Sequence, residues 1–455
     1  MNMYSVRIRS NSHEELLTLK NFNLDLHYRA AGKVDNEYYE VPGTLTNVQI
    51  EKVKQSGYQV EIIDDLNNIA HERRQEVSSI NRFTTSNIVS EEITENVLGG
   101  YMTVDEIETA LIQLSQQFPN FVTLIQLPNQ TWDGRSSHAV RLRVGTNTNR
   151  EGVLFTGSMH AREWGGSDIC INFLRQLVSS YQSSAPLNVG GKTYTFNQIR
   201  DFMEGLDIFV FPDVNPDGKN FSQTTDIDSG NPSSTWWRKN RNPNTTNGGN
   251  NLGVDINRNF DFLWNSEIGT SDNPAEIIYK GTAPFSEPET KNVKYLFDTY
   301  PNICYYVDIH SYSGLILYPW GDDDNQETDS NQNFRNPSFD GKRGVQGDTD
   351  YREFIPALDQ NTLFNLANKM NNALNAVRGT SYIVQQAVGL YPTSATSDDY
   401  AYSRHIVDSS KNKIYAFTIE FGQEFVPPYE EMRLIIKEIN AAMTEFCHCI
   451  QNNRQ

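Results

Sequence analysis

Cysteine is scarce in this chain, four in 455 residues, which excludes a disulfide framework as the basis of the fold. No apolar run approaches the roughly 18 residues needed to cross a bilayer. The opening Met1-Asn2-Met3-Tyr4-Ser5-Val6-Arg7 lacks the apolar centre of a secretory signal. A cytoplasmic protein is therefore expected, with secretion by a signal trimmed from this chain as the alternative. Basic residues are in the minority, 38 Lys and Arg against 57 Asp and Glu, for a formal net charge of −19. Such a surface argues against nucleic acid or anionic membrane as partners and mainly keeps the protein soluble. It adds a weak bias towards cationic substrates.

At 455 residues the chain exceeds one average domain. Residues 1–66 read as a small unit of order β-α-β-β-α-β, the ferredoxin-like arrangement. Its strands are expected at 4–9, 24–30, 37–41 and 58–63, and its helices at 12–22 and 44–57. A polar, helix-compatible stretch with Arg73, Arg74 and Arg82 follows, then a linker over 84–100. From residue 101 to 455 strands and helices alternate. Strands are expected at 122–127, 139–144, 153–156, 208–211, 305–309, 315–317, 382–384 and 415–419. Helices are expected at 103–117, 167–182, 287–299, 359–377 and 429–452. The pattern predicts one α/β domain, a mixed eight-stranded sheet with helices on both faces. Two long polar stretches, 215–253 and 321–352, interrupt it; loops of that length in a compact domain tend to be functional.

Chemistry collects at the ends of apolar runs. The run 152–157 leads to His160-Ala161-Arg162-Glu163, 304–309 ends at His310-Ser311-Tyr312, and 414–419 ends at Glu420. A lone H-x-x-E means little. Joined by a second histidine, it gives two imidazoles and a carboxylate, the set that holds a catalytic zinc with one position open. Glu420 is placed to move a proton. Strand ends are also where an open α/β sheet places its site. Cys170 and Cys304 read as core residues, and Cys447-His448-Cys449 as part of a helix with no second ligand pair nearby.

The remaining motifs are Asn215-Pro216-Asp217-Gly218, read as a turn, then Trp237-Arg238-Lys239 and Gly253-Val254-Asp255-Ile256-Asn257-Arg258-Asn259. Gly389-Leu390-Tyr391-Pro392 and Ser397-Asp398-Asp399-Tyr400 complete them. Taken in order with the metal set, they resemble the zinc carboxypeptidases of the pancreatic A/B type over residues 101–450, and the N-terminal unit looks like that family's pro-segment. The resemblance implies one zinc held by His160, Glu163 and His310, with Glu420 as general base and Arg238 polarising the scissile carbonyl. It implies that Asn257 and Arg258 grip the substrate's terminal carboxylate, that Tyr391 caps it, and that Arg162, Ser311 and Tyr312 line further subsites. A cis Ser311–Tyr312 peptide is the family habit. Seen alone, each loop arginine would be taken as solvated and Tyr391 as turn packing.

Asp398, seven residues past Tyr391, occupies the position that the resemblance puts at the floor of the pocket for the terminal side chain. A buried carboxylate there calls for a cation, so Lys or Arg is the expected terminal residue and peptide or protein C-termini the expected partners. Hydrophobic or mixed preference is one alternative; a silent binder of peptide C-termini is another. Asp399 reads as the cap of the helix that follows. The acidic stretch 322–349 looks inserted, shows no EF-hand spacing for calcium, and reads as a flexible rim. Arg73, Arg74 and Arg82 are the expected cleavage points for an activating protease.

Overall fold

The computed structural model describes residues 2–27, 30–34, 37–84, 99–189, 191–225, 234–247, 250–389 and 391–453. Most of the expected linker 84–100 lies outside them.

In the N-terminal unit, β1 (Met3–Ser10) pairs antiparallel with both β4 (Tyr38–Thr46) and β5 (Gln59–Asp65). The expected second strand is realised as two short pieces on β4, β2 (Asp25–Leu26) and β3 (Gly32–Val34). Helix α1 (His13–Leu17) starts from the Ser12 side chain, and α2 (Asn47–Gln55) from a capping box of Thr46 and Gln49. The order and central β1 match the ferredoxin-like expectation. Helix α3 (Leu66–Gln75) then crosses to the larger domain, whose core takes in Leu66, Ala70 and Phe83.

All eight expected strands of that domain form one sheet: β6 (Val122–Gln126), β7 (His138–Leu142), β8 (Glu151–Gly157), β9 (Leu206–Phe211), β10 (Ile303–His310), β11 (Leu315–Tyr318), β12 (Ile383–Gln386) and β13 (Tyr415–Glu420). Their order across the sheet is β12-β11-β13-β10-β8-β9-β7-β6. The middle four, β13, β10, β8 and β9, run parallel. Strands covered on both faces are apolar throughout, and β9 has every residue buried. The expected helices appear as α4 (Val104–Gln117), α5 (Gly165–Ser183), α8 (Pro288–Thr299), α9 (Ala357–Arg378) and α11 (Tyr429–Asn453).

Two helices escaped the sequence reading, α6 (Phe196–Gly205) and α7 (Pro216–Thr224), while the helix expected after Asp399 is α10 (Ser397–Val407), begun earlier than expected. The start signals of α6 and α7 were present. Thr195 and Gln198 form a capping box, and Asn215 caps α7 with Pro216 in its first turn. N-P-D-G is thus a helix start, not merely a turn, because Pro at the first helical position costs no hydrogen bond. The stretch 322–349, expected as a flexible rim, is tied to the domain at several points. Asp322 and Asp323 are buried, Asp323 Oδ2 and Asp324 Oδ2 accept from Gly344 N and Gly347 N, and residues 325–326 pair with 353–354.

Asp213, between β9 and α7, is buried and neither carboxylate oxygen meets a donor among the described residues. Burial pushes its pKa up to about 7 against the pull of Lys219. A carboxyl raised in the fold favours the folded state at low pH. That contribution fades as pH climbs from the unfolded value near 4 through 7. Asp213→Asn should therefore flatten the pH dependence of the unfolding midpoint between pH 4 and 8, an effect of up to roughly 3–4 kcal/mol at the alkaline end. Urea titrations at pH 5 and 8 check this; an unchanged difference between the two pH values would refute it.

Candidate active site

Three adjacent parallel strands deliver the site. The C-terminal residues of β10 and β13, His310 and Glu420, are direct partners in register, and Ile309 pairs with Gly157 at the end of β8. From Gly157 the chain turns through Ser158, with φ of 55°, into the segment carrying His160 and Glu163. Parallel neighbours end on the same edge of a sheet, so residues 150 and more positions apart in sequence meet at one point.

The two imidazoles face each other through their Nδ1 atoms, 3.1 Å apart. Glu163 reaches both, Oε1 at 2.8 Å from His160 Nδ1 and Oε2 at 2.9 Å from His310 Nδ1. The three ligand atoms lie within 4.8 Å of one another, and all three residues are buried. Each ring turns its other nitrogen to a carboxylate. His160 Nε2 lies 3.3 Å from Asp255 Oδ1, and His310 Nε2 2.8 Å from Asp308 Oδ2. The His310–Asp308 bond fixes Nδ1 as the inward atom of that ring, the usual backing for metal-bound histidine, while Asp255 faces His160 as a longer charge contact. Burial opposes charge on Glu163, yet His160 and His310 hold its pKa well below the usual carboxylate range. The donor set, two imidazoles and an anionic carboxylate, fits zinc.

Around this centre lie Arg238, whose Nε donates to Asp255 Oδ2 at 3.0 Å, and Asn257 and Arg258 from a short 3₁₀ turn begun by Asp255. Arg258 Nε donates to Gly269 O at 2.9 Å. Asn257 Oδ1 accepts from Ser397 N at 2.8 Å, while its buried Nδ2 has no acceptor among the described residues. That orphan donor and the Arg238 and Arg258 guanidiniums border one cavity with Glu420, Ser311 and Tyr312, a setting suited to a carboxylate ligand. The Ser311–Tyr312 peptide is cis, and Ser311 Oγ donates to Phe425 O.

The N-terminal unit closes this cavity. Asp25 on β2 pairs bidentately with Arg162, which is buried and lies over the Phe425 ring. His27 Nδ1 is 2.7 Å from the Tyr312 hydroxyl. Burial keeps His27 neutral, pushing its pKa down to about 3. What remains is a cavity of about 60 Å³, room for a few waters at ~10–15 Å³ each and not for a peptide.

Two expected site residues are placed elsewhere. Tyr391 does not line the cavity; it packs into the apolar core of the N-terminal unit, its ring edge-on to His13. Asp398 lies buried beneath, accepting from Thr418 Oγ1 and Asp399 N. Asp399 is no helix cap in the expected sense: it reaches back to accept from Gly321 N and Thr396 Oγ1. Nor are the connecting arginines exposed cleavage points. Arg73 is buried and donates to Val426 O, Arg74 donates to Ser234 Oγ, and Arg82 pairs bidentately with buried Glu106.

Sequence reasoning gave no role to Asp255, Asp308, Asp25 or His27. Asp308-x-His310 on a strand was a readable signal, since residues two apart share a face. Nothing local could have brought Asp25 to Arg162, 137 residues away.

Comparison with known proteins agrees with this geometry. A family model described as zinc carboxypeptidase matches residues 107–442. The chain is 27% identical to carboxypeptidase A4 of Mus musculus over 353 residues, covering 75% of this chain and 70% of that protein. It is 29% identical to carboxypeptidase B of Bos taurus over 353 residues, covering 76% and 71%. In fold it is similar to the crystal structure of thrombin activatable fibrinolysis inhibitor, with a TM-score of 0.68 at 19% identity over the whole of both chains.

The ligand set predicts one zinc per chain. Glu163→Ala should weaken zinc by roughly 100-fold or more, beyond the ~10–100-fold of an outer-shell change. Competition with a chromophoric chelator measures it; wild-type affinity in the variant would remove Glu163 from the set.

Proposed function

We propose that this chain, which belongs to the zinc carboxypeptidase family, removes C-terminal Lys or Arg from peptides and proteins. It is a metallocarboxypeptidase, a peptide hydrolase; the basic preference is the further step. One observation carries that step. Asp398 is a wholly buried carboxylate that accepts from a hydroxyl and a backbone N–H, with no cation bonded to it among the described residues. It sits on α10, the residue after Ser397, whose N–H is held by Asn257 of the carboxylate grip. A buried carboxylate that lacks a cationic partner favours a substrate that brings the positive charge. Relatives named carboxypeptidase A and carboxypeptidase B both match, so hydrophobic preference is the competing reading.

The roles follow from position. Zinc, when bound, supplies a Lewis acid that polarises the scissile carbonyl and an attacking water. Asn257 and Arg258 hold the terminal carboxylate, which places the last peptide bond at the metal set and accounts for removal of a single residue. Glu420 takes the water's proton and hands it to the leaving amine. Arg238, braced by Asp255, meets the negative charge that grows on the carbonyl oxygen.

The N-terminal unit acts as a block. Asp25 occupies Arg162 and His27 occupies Tyr312, the residues assigned to subsites further along the peptide. This supports a zymogen reading in which the inhibitory unit fills the site that substrate needs.

Three results are expected. Glu420→Gln retains zinc and loses at least ~10²–10⁴-fold in kcat, the usual worth of a general base; full activity in a chelated, metal-free sample would refute the mechanism. Asp398→Ile lowers kcat/KM for hippuryl-Arg by ~30-fold or more, as loss of a desolvated charge pair worth roughly 2–5 kcal/mol requires, and raises it for hippuryl-Phe; an unchanged Arg rate would assign the pocket to another residue. Asp25→Ala in the intact chain raises hydrolysis of a tetrapeptide substrate several-fold, since it leaves Arg162 without its buried partner. An unchanged rate would mean that the N-terminal unit does not restrain the enzyme through Asp25.

A further inference from the structure

The carboxylate behind His310 has more partners than its ring requires. Asp308 accepts from His310 Nε2 at 2.8 Å, from Thr156 Oγ1 at 2.7 Å and from Ser397 Oγ at 2.7 Å. All four residues are buried. They come from three elements: Thr156 from β8, Asp308 and His310 from β10, Ser397 from the first turn of α10. Thr156 is held in turn by the Tyr306 hydroxyl at 2.9 Å.

Ser397 is where this network meets substrate binding. Its N–H donates to Asn257 Oδ1, while the Nδ2 of Asn257, a residue that lines the cavity, has no acceptor among the described residues. The next residue is Asp398, buried against Thr418 of β13. The first turn of α10 has no side-chain cap of its own, as Thr396 makes no capping bond. Its position is therefore set by the bonds of Ser397 to Asp308 and Asn257 and by those of the two aspartates that follow. A single hydroxyl joins the metal side of the site to the side that holds the terminal residue.

We propose that Asp308 is a positioning residue for the metal and that Ser397 shares it, tying zinc affinity to the grip on the substrate's terminal residue. Asp308 fixes the His310 tautomer with Nδ1 inward and adds a negative charge that strengthens the ring as a donor. Ser397 takes the carboxylate's remaining capacity and so locks α10 to the ligand strand. Through the Ser397 N–H, the same lock orients Asn257. Behind His160 the contact is looser: Asp255 Oδ1 lies 3.3 Å from Nε2 while its Oδ2 accepts from Arg238 Nε, which sets the metal beside the oxyanion side. The two histidines thus report to the two ends of the scissile unit, one through each carboxylate.

The proposal rests on His310 as a metal ligand, and the test separates the two ideas by reading zinc affinity without substrate. The full chain is stripped of metal and titrated with zinc against a chromophoric chelator, as wild type, Asp308→Asn, Asp308→Ala and Ser397→Ala. Asp308→Asn keeps an acceptor but loses the charge and should weaken zinc ~10–100-fold, with Asp308→Ala at least as weak. Cobalt substituted for zinc should show a shifted visible absorption spectrum in both. Ser397→Ala, a mild change that keeps fold and ligands, should weaken zinc a few-fold and raise KM for hippuryl-Arg more than it lowers kcat per bound zinc. A wild type that binds no zinc would refute the metal assignment itself. Zinc binding by Asp308→Asn within twofold of wild type would overturn the positioning role. Unchanged zinc affinity and KM in Ser397→Ala would overturn the link to the substrate side.

Discussion

Everything in the site hangs on how two imidazoles are held. Each ring meets Glu163 on its Nδ1 side and faces a buried aspartate on its Nε2 side, through a hydrogen bond at His310 and a longer contact at His160. An imidazole free to rotate or to exchange tautomers is a poor metal donor; one with its outer nitrogen fixed by a carboxylate presents a lone pair in one direction. Five buried acidic and imidazole groups around a single point would be costly in an apolar core. Here the cost is offset by the bonds among them, and a divalent cation completes the balance of charge. The sheet makes this possible, because parallel β8, β10 and β13 end together and the register sets His310 opposite Glu420.

The same clamps extend outward. Asp255 joins His160 to Arg238, and Asp308 joins His310 to Ser397 and through it to Asn257. The metal-set residues, Arg238 and Asn257 are therefore joined by one network of hydrogen bonds and charge contacts. Preorganisation of this kind places donors where charge will develop and avoids reorganising them during the reaction. The N-terminal unit exploits the finished geometry without touching the metal set, filling the positions of Arg162 and Tyr312 with Asp25 and His27.

The strands, the five longest amphipathic helices and the metal ligands were legible in the sequence because each leaves a local trace: an apolar run of four to seven residues, a 3.6-residue period, a histidine at a strand end. Helices α6 and α7 left weaker traces. They are short, polar and start in motifs that also read as turns, so capping chemistry was the one usable signal. The positions of Tyr391 and Asp399 in this structure were not legible for a different reason. Both follow from tertiary contacts, Tyr391 from packing against the N-terminal unit and Asp399 from Gly321 across the insertion. The buried state of Arg73 and Asp322 was likewise invisible, since composition alone favours water for both.

The claim on which the account stands is that the cavity recognises a free terminal carboxylate and releases one residue. Mass spectrometry of two peptides of identical sequence ending in Arg, one a free acid and one a C-terminal amide, tests it most directly, with the N-terminal unit removed or Asp25 replaced. The account predicts that the free acid loses one arginine and that the amide is processed at least ~100-fold more slowly, because Asn257 and Arg258 then face a neutral group. Equal processing of the two peptides, or cleavage at internal bonds, would contradict it.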